Sequence, residues 1–478
     1  MSHPDRDDDR PDDPDKGGEG NGEGGQPTDP LSELLRQLGQ NLPPGMQGLD
    51  LNALMNQLGA MSGQMPQGGG IGFQPPNAPG FQAPKGGSDN EWAWLKDQVR
   101  KMSASLGPDP TPTSAQQAEV ADSARLAEMW LDEAVEFPAV RAAPTAWSRA
   151  EWVEATFPSF RPMAQPVIEA LSEALGKAPG TAAEGAPEDD PLSMLSTMFA
   201  PMMRDAARRM YSAQFAQAIG QLSKSVVSSS DLGFQLATPR VAMLVSNITD
   251  HFGELDVPDR DVLLYLTLRE AARQRLFAHV GWLGPQLQAL VEHYAREARI
   301  DLSAIESMFD VGDLSELNQE KMNEIAEKVQ GKLFNPDPTP EQVEVLDRLQ
   351  TLLALVEGWV DHVVHGVASR WMPAEPQLFE AVRRRRGLGG PTEEVFKRLV
   401  GLEIKQRRIR DAANLWAAVE SARGKAERDA LWQHPDLLPT SAGLDDPVGF
   451  ANPDAATEDT GDDWDKGLEQ LLREEGRE

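Results

Sequence analysis

The chain has no cysteine among its 478 residues, and it has no long hydrophobic run. The missing cysteine excludes disulfide bonds, thiolate nucleophiles and cysteine-ligated metals. No run approaches the roughly eighteen apolar residues of a membrane helix, so the sequence predicts no membrane span. The N-terminus, MSHPDRDDDRPDDPDKGG, is acidic and polar, unlike a secretory signal. We therefore expect a cytoplasmic protein.

Positive charge is also scarce, because 45 Lys and Arg residues face 76 Asp and Glu residues, for a formal net charge of −31 at pH 7. This balance disfavours general affinity for DNA or RNA and keeps the chain soluble. The GxSxG elbow and the GxxxxGK[ST] phosphate loop do not occur in the sequence. GxGxxG occurs as letters at Gly20–Gly25, in the acidic glycine-rich stretch, without the strand and helix that the dinucleotide fingerprint requires. These absences disfavour a serine hydrolase of the elbow type and a nucleotide-binding enzyme.

Composition divides the chain into three parts. Residues 1–88 are acidic and rich in Gly and Pro, with too few apolar groups to offset the entropy of ordering, so we predict disorder. They contain two short leucine-rich motifs, LSELLRQLG from Leu31 and LNALMNQLG from Leu51. These motifs are either a duplicated docking element or apolar remnants in a linker. Residues 89–450 are predicted to form a mainly α (α+β) domain, and residues 451–478 an acidic disordered tail.

Apolar periodicity and capping signals predict the elements of the middle part. Two helices are central to function, Asp261–Val280 and Glu341–Trp371. One strand is predicted at Val241–Ser246, before a turn at Asn247. Further helices are predicted from Asp89 and over Thr113–Glu136, Ala164–Gly176, Leu192–Val227, Leu287–Arg299, Asn318–Leu333, Pro376–Arg386, Thr392–Val400 and Lys405–Ser421.

Three charged residues interrupt the apolar face of the Asp261–Val280 helix. Arg269, Glu270 and Arg273 lie on that face or at its edge, where unpaired charge is costly. Their spacing is that of HExxH, the helix motif of zinc proteases, with arginine at each histidine position. We call this segment, Arg269–Arg273, the REAAR motif.

A second acidic motif lies on the Glu341–Trp371 helix. Glu357 shares a face with apolar residues, and Asp361 follows one turn later. Some HExxH enzymes use a Glu followed four residues later by an Asp to supply the third zinc ligand and a supporting acid. His362 and His365 lie beside them and could share a metal, or they could form the polar edge of a buried helix. His279 is predicted to be a helix C-terminal residue favoured by the helix dipole.

The segment from Arg383 to Arg410 is strongly basic within an acidic chain. Nucleic-acid contact is one interpretation. However, the segment lacks the interleaved aromatic residues of a stacking surface. Intramolecular pairing or a solvated face is therefore the favoured interpretation.

Six strings carry a resemblance to a known family: LREAARQRLFAHVGWL from Leu268, LVEGWVDHVV from Leu355, RRRRGLGGP from Arg383, LVGLEIKQRRIRDAANLW from Leu399, LWQHPDLLPT from Leu431 and LDDPVGF from Leu444. They resemble the zincin-like hydrolases of high-GC Gram-positive bacteria, which are described as zinc-dependent metalloproteases. The resemblance implies a zincin-like helical core with a small β-sheet and a site between the two motif helices.

The chain departs from this family's motif at the metal ligands. In this chain's numbering, the family motif would place its two histidines at the positions of Arg269 and Arg273. The resemblance further implies Glu270 as general base, Glu357 as a metal ligand and Asp361 as the supporting acid. Arginine stays protonated and has no lone pair for zinc. We hypothesise that the two guanidiniums replace the two charges of the metal and bridge Glu270 and Glu357 in a buried salt-bridge network.

Two functions follow from this departure. If the family function is retained, the protein is a zinc-dependent peptidase that acts on a peptide or protein. The arginines favour the loss of zinc catalysis, and then the chain needs no cofactor. The alternative to an enzyme is a non-catalytic zincin-fold scaffold that binds a protein partner.

Overall fold

The computed structural model describes residues 88–176, 208–209, 211–297, 338–387, 395–396 and 408–452. Several sequence predictions lie outside these ranges. They are the disordered ends, the two leucine-rich motifs, the first half of the Leu192–Val227 helix, the Asn318–Leu333 helix and most of the Thr392–Val400 helix.

Helices make up almost all of the regular structure in the described residues, which confirms the mainly helical prediction. None of these helices is both long enough and apolar enough to cross a bilayer. In chain order they are α1 (Ser88–Ser105), α2 (Ser114–Ala134), α3 (Arg149–Gly176), α4 (211–225), α5 (Val245–Phe252), α6 (Asp259–His279), α7 (Leu283–Arg296), α8 (Pro340–Trp371), α9 (Glu375–Gly387), α10 (Ile409–Ala430), α11 (Ser441–Asp445) and α12 (Pro447–Ala451).

Two helix starts are fixed by capping boxes that the sequence encodes locally. The Thr339 side chain accepts a hydrogen bond from the backbone of Gln342, and the Gln342 side chain accepts one from the backbone of Thr339. Pro340 occupies the first turn of α8, where its missing N–H is not needed. Thr113 and Gln116 make the same reciprocal pair at the start of α2. The predicted bounds of both helices are confirmed to within two residues.

Two helix predictions were wrong in extent. α3 begins at Arg149 rather than Ala164, although Pro158, Pro162 and Pro166 lie inside it. Proline disfavours a helix interior, and burial of apolar residues along α3 overrides that preference. Helical structure resumes after the predicted end at Ser421 and reaches Ala430, but Gly424, with a φ of 82° and a ψ of 170°, is non-helical, so α10 consists of two helices that meet at a kink.

The sheet consists of two short parallel strands, β1 (Thr145–Ala146) and β2 (Ala242–Met243), with Thr145 opposite Ala242. The strand prediction at Val241–Ser246 was therefore too long, because α5 already begins at Val245. The turn predicted at Asn247 was wrong as well. Asn247 is helical, and its buried side-chain amide donates to the carbonyl oxygens of Ser223 at 2.8 Å and Val226 at 2.6 Å.

The segment Val227–Ser230 precedes β2 in the chain and is hydrogen-bonded to it, which fixes its position. Leu244 N donates to Val227 O at 2.9 Å, and Ser229 N donates to Ala242 O at 3.0 Å. The three consecutive serines of this segment, Ser228, Ser229 and Ser230, are buried. We call them the serine turn. The small sheet thus holds three hydroxyl groups in the interior.

Helices α6 and α8 lie at the centre of the core. Every residue of α6 from Val262 to Phe277 is buried, so the charges of the REAAR motif are enclosed on all sides. α8 packs closely against α10 at Gly358, where an added Cβ atom would lie 2.6 Å from Ala412 Cβ and 2.7 Å from Ala413 N. The glycine beside Glu357 is therefore required by the close approach of α10.

Candidate functional site

Helices α6 and α8 bring both sequence motifs together in one buried cluster. Arg273 donates to Glu357 through two nitrogens, with Nε at 2.5 Å from Oε1 and Nη2 at 3.0 Å from Oε2. Arg269 Nη2 lies 2.6 Å from Asp361 Oδ1 and 3.2 Å from Glu357 Oε2. The side chains of Arg269 and Arg273 are 2% and 4% exposed, so these charge-assisted bonds are shielded from water. We call the REAAR charges together with Glu357 and Asp361 the ionic cluster.

Glu270 is saturated with hydrogen bonds from the serine turn. Its Oε2 accepts from Ser228 at 2.7 Å and Ser230 at 2.6 Å, and its Oε1 accepts from Ser229 at 2.5 Å. Gln274 Nε2 donates to Oε1 at 2.8 Å, and Arg273 Nη1 lies 3.6 Å from Oε2. The carboxylate is 0% exposed. Its oxygens therefore point at protein donors and not at solvent.

Helix α9 adds two arginines that the sequence motifs did not indicate. Arg386 binds Glu357 through Nη2 and Asp361 through Nη1, the latter at 3.2 Å. Arg385 pairs with Asp231, with Nη2 at 2.8 Å from Oδ2, and donates to the carbonyl of Ser225. We therefore include Arg386 in the ionic cluster, which α9 closes and ties to the segment that carries the serine turn.

The basic run RRRR divides between the two faces of α9. Arg383 and Arg384 are exposed and lie near Glu380, whereas Arg385 and Arg386 turn inward. Farther along, Arg408 donates to Ser441 and pairs with Asp445. These contacts are the intramolecular pairing that the sequence favoured, and their acceptors lie within residues 89–450. Lys397, Arg398, Lys405 and Arg407 lie outside the described residues.

The cluster is electrically balanced, and its charges reinforce each other. Burial raises the pKa of Glu357, but Arg273, Arg386 and Arg269 outweigh burial and hold that pKa far below its usual range. Burial acts in the same way on Asp361, where Arg269 and Arg386 lower the pKa more than burial raises it. Burial would lower the pKa of Arg269, but Asp361 raises it overall. Each of these groups therefore stays ionised at neutral pH.

The depressed carboxylate pKa values predict that the fold is destabilised by acid. A carboxylate whose pKa is lower in the folded chain contributes stability above its unfolded pKa and loses it as pH falls through the folded value. Glu357, Asp361 and Asp231 all have this direction. We expect the melting temperature to be flat above about pH 5 and to fall steeply below about pH 4. Calorimetry over this range checks the prediction, and equal melting temperatures at pH 3.5 and pH 7 would contradict it.

The histidines do not join the ionic cluster. His362 Nε2 pairs with Glu420 on α10, and His365 Nδ1 lies 3.0 Å from Glu375 on α9. A metal shared by these two histidines is therefore not supported. His279 is the last residue of α6, as predicted, and its Nε2 lies 3.0 Å from the carbonyl oxygen of Pro138. Among the described residues, no group of three or more His, Asp or Glu side chains could hold a metal ion.

Two buried polar atoms beside the cluster make no hydrogen bond of standard geometry within the described residues. They are Arg269 Nη1 and the hydroxyl of Tyr265, one turn earlier on α6. Burial raises the pKa of Tyr265, opposed by the charge of Arg269 and by a side-chain hydrogen bond with it, so the hydroxyl stays protonated. The Tyr265 and Arg269 side chains therefore interact with each other at the edge of the cluster.

Comparison with known proteins identifies the family. The sequence profile of the zincin-like metallopeptidases matches residues 91–451, and the chain belongs to this family. A crystal structure from Chloroflexus aurantiacus, of a proposed hydrolase with a novel fold, superposes with a TM-score of 0.52 at 19% identity. The match covers 77% of this chain and 99% of that chain, which supports the same fold. A comparison with curated proteins finds no match. The family inferred from the six strings is therefore confirmed.

The zinc ion that the family implies does not fit the residues present. A zinc site needs lone pairs from imidazole, thiolate or carboxylate groups. Arg269 and Arg273 have the spacing of the two histidines of an HExxH helix but offer no lone pair, and both guanidiniums bind Glu357, the remaining candidate ligand. An added dication would meet these two positive charges in a buried space. The donor set is that of a salt-bridge network.

Proposed function

We propose that this chain is a zincin-fold protein in which zinc-dependent peptide hydrolysis at the REAAR motif is lost, and that it acts as a scaffold for a protein partner. One observation carries the proposal: the Arg273 guanidinium makes a two-bond contact with Glu357 where the family motif has a histidine that binds metal. A guanidinium is not deprotonated in a protein at neutral pH, so Arg273 cannot act as a zinc ligand.

The environment of Glu270 supports the same proposal. A general base needs hydrogen-bond reach to the proton it removes, directly or through one water. The carboxylate oxygens of Glu270 already accept hydrogen bonds from three serine hydroxyls and from Gln274, and the side chain is 0% exposed. To activate a water, it would have to release these donors inside a closed core. Its present contacts suit a structural carboxylate.

Membership of the family favours a second candidate, a zinc-dependent peptidase. This function would require Arg269 and Arg273 to leave Glu357 and Asp361. Each withdrawn guanidinium would then need a new partner or access to water, because an uncompensated buried charge is strongly unfavourable. The ionic cluster therefore weighs against the second candidate.

A peptidase assay on the purified full-length protein separates the two candidates. We expect no cleavage of casein or of a mixed peptide library, with or without added zinc, and no effect of a chelator. Zinc-dependent cleavage that a chelator removes, and that Glu270→Gln abolishes, would overturn the proposal. For the scaffold role, Leu34→Glu with Leu54→Glu in the full chain should release a partner that co-purifies with the wild type. Retention of that partner would argue against docking through the leucine-rich motifs.

A further inference from the structure

Arg386 is the one cation of the ionic cluster that lies at its edge. Its side chain is 17% exposed, against 2% for Arg269 and 4% for Arg273. It is carried by α9, whose Leu378 and Val382 are buried and whose Phe379 and Ala381 pack against the core at partial burial. The charged residues of α9 add ion pairs to this apolar anchor. Arg386 is thus the most exposed cation of the ionic cluster, and it lies on a helix outside the central pair α6 and α8.

The place that Arg386 fills is formed by other elements. Glu357 and Asp361 both project from α8, and Arg269 and Arg273 of α6 hold them in position. If Arg386 is withdrawn, the cluster retains these two guanidiniums and three carboxylates, with Glu270 as the third. A buried excess of one negative charge demands a cation.

The geometry selects a guanidinium as that cation. Arg386 spans two carboxylates, with Nη2 on Glu357 and Nη1 on Asp361. A planar fork of donors matches such a pair, whereas an ammonium ion is a compact, strongly hydrated point charge. The flanking guanidiniums disfavour a dication. An arginine side chain of a peptide segment supplies this planar fork.

We propose that Glu357 and Asp361 form a binding site for an arginine side chain of a partner protein, and that Arg386 fills this site as an intramolecular competitor. The inference rests on the metal-free site proposed above. Arg386 is tethered to the same chain and therefore competes at a high effective concentration. A partner protein needs further contacts elsewhere to displace it, and free arginine at low concentration does not displace it. α9 then acts as an internal plug that a matching partner displaces.

Chemical rescue of Arg386→Ala in the full-length protein tests the site. We expect this variant to melt at a lower temperature than the wild type, and methylguanidinium chloride to raise its melting temperature saturably by about 2 °C or more. Methylammonium chloride at equal concentration should give no such rise, since it lacks the planar fork. Arg384→Ala is the matched control, because it removes the same charge from the same turn of α9, where the side chain is 75% exposed. It should respond to neither salt.

Competition in the wild type tests displacement of Arg386. Methylguanidinium at about 50 mM, well below denaturing concentrations, should speed amide hydrogen exchange in α9, and methylammonium should not. The inference is overturned if a folded, zinc-free Arg386→Ala protein responds to both salts alike or to neither, or if α9 exchange in the wild type is unchanged. If the alanine variant does not fold, recovery of folding by methylguanidinium alone is the readout, and its absence is equally contradictory. Stoichiometric zinc in the same sample would instead refute the metal-free site.

Discussion

We expect Arg273→Ala to lower the free energy of unfolding by about 3–5 kcal/mol, because it removes the cation beside buried Glu270 and one of the three cations that pair with buried Glu357. Arg273 gives Glu357 two hydrogen bonds and lies 3.6 Å from Glu270. Both carboxylates are enclosed, at 6% and 0% exposure, so in the wild type protein groups and not bulk water compensate their charge. Among the described residues, Arg273 is the only one that forms ion pairs with both carboxylates. Its removal therefore affects both halves of the cluster.

Denaturant unfolding of Arg273→Ala beside Arg384→Ala measures this effect. The control removes one arginine from an exposed surface pair, and its stability should change by no more than about 0.5 kcal/mol. A double-mutant cycle with Glu357→Gln should return a coupling of about 0.5–3 kcal/mol, since the two side chains are in direct contact. An Arg273→Ala midpoint equal to that of the control would show that the ionic cluster has no structural role.

We expect Glu270→Ala to cost a similar amount, about 3–5 kcal/mol, through the donors that it leaves unpaired. Ser228 and Ser230 lose the acceptor of their hydroxyls, and Ser229 keeps only the carbonyl oxygen of Arg240, at 3.2 Å. Among the described residues, Gln274 Nε2 keeps only the hydroxyl of Ser229 as an acceptor. Glu270→Gln should be milder, at about 1–3 kcal/mol, because it keeps one acceptor oxygen and turns the other position into a donor that faces donors.

The Glu270 variants also separate a structural carboxylate from a catalytic one. A general base can be replaced by glutamine with lost activity and little change in stability, whereas a structural carboxylate cannot. Glu254→Gln, at an exposed position after α5, is the matched control and should leave the unfolding midpoint unchanged. Thermal melts of the three proteins make the comparison. A Glu270→Gln protein as stable as this control would contradict the structural role.

The sequence predicted the two helices that build the site because their signals are local. Capping boxes and apolar periodicity depend on residues within one or two turns, as at Thr339 and Gln342. The spacing of Arg269, Arg273 and Glu357 also indicated that their charges need partners. The bond lengths and the choice of partners depend on how α6 and α8 pack, and the sequence pattern does not contain that information.

The serine turn and Arg386 were missed for the same physical reason. Three serines in a row suggest any polar loop, and only their pairing with β2 directs their hydroxyls at Glu270. Successive side chains of a helix are rotated by about 100° around its axis, so the four arginines of the RRRR run have different environments although their residue type is the same. Likewise, His362 and His365 share a helix, but α10 and α9 supply each with a separate acidic partner. Tertiary neighbours decide these roles.

The zinc content of the purified full-length protein tests the central claim most directly, the claim that Arg269 and Arg273 occupy the place of the metal. The protein is expressed with zinc in the medium, passed through a desalting column and analysed by elemental mass spectrometry, and its melting temperature is measured with and without a chelator. We predict less than about 0.1 zinc per chain and no change in melting temperature. About one zinc per chain, removed by the chelator together with a fall in melting temperature, would contradict the account.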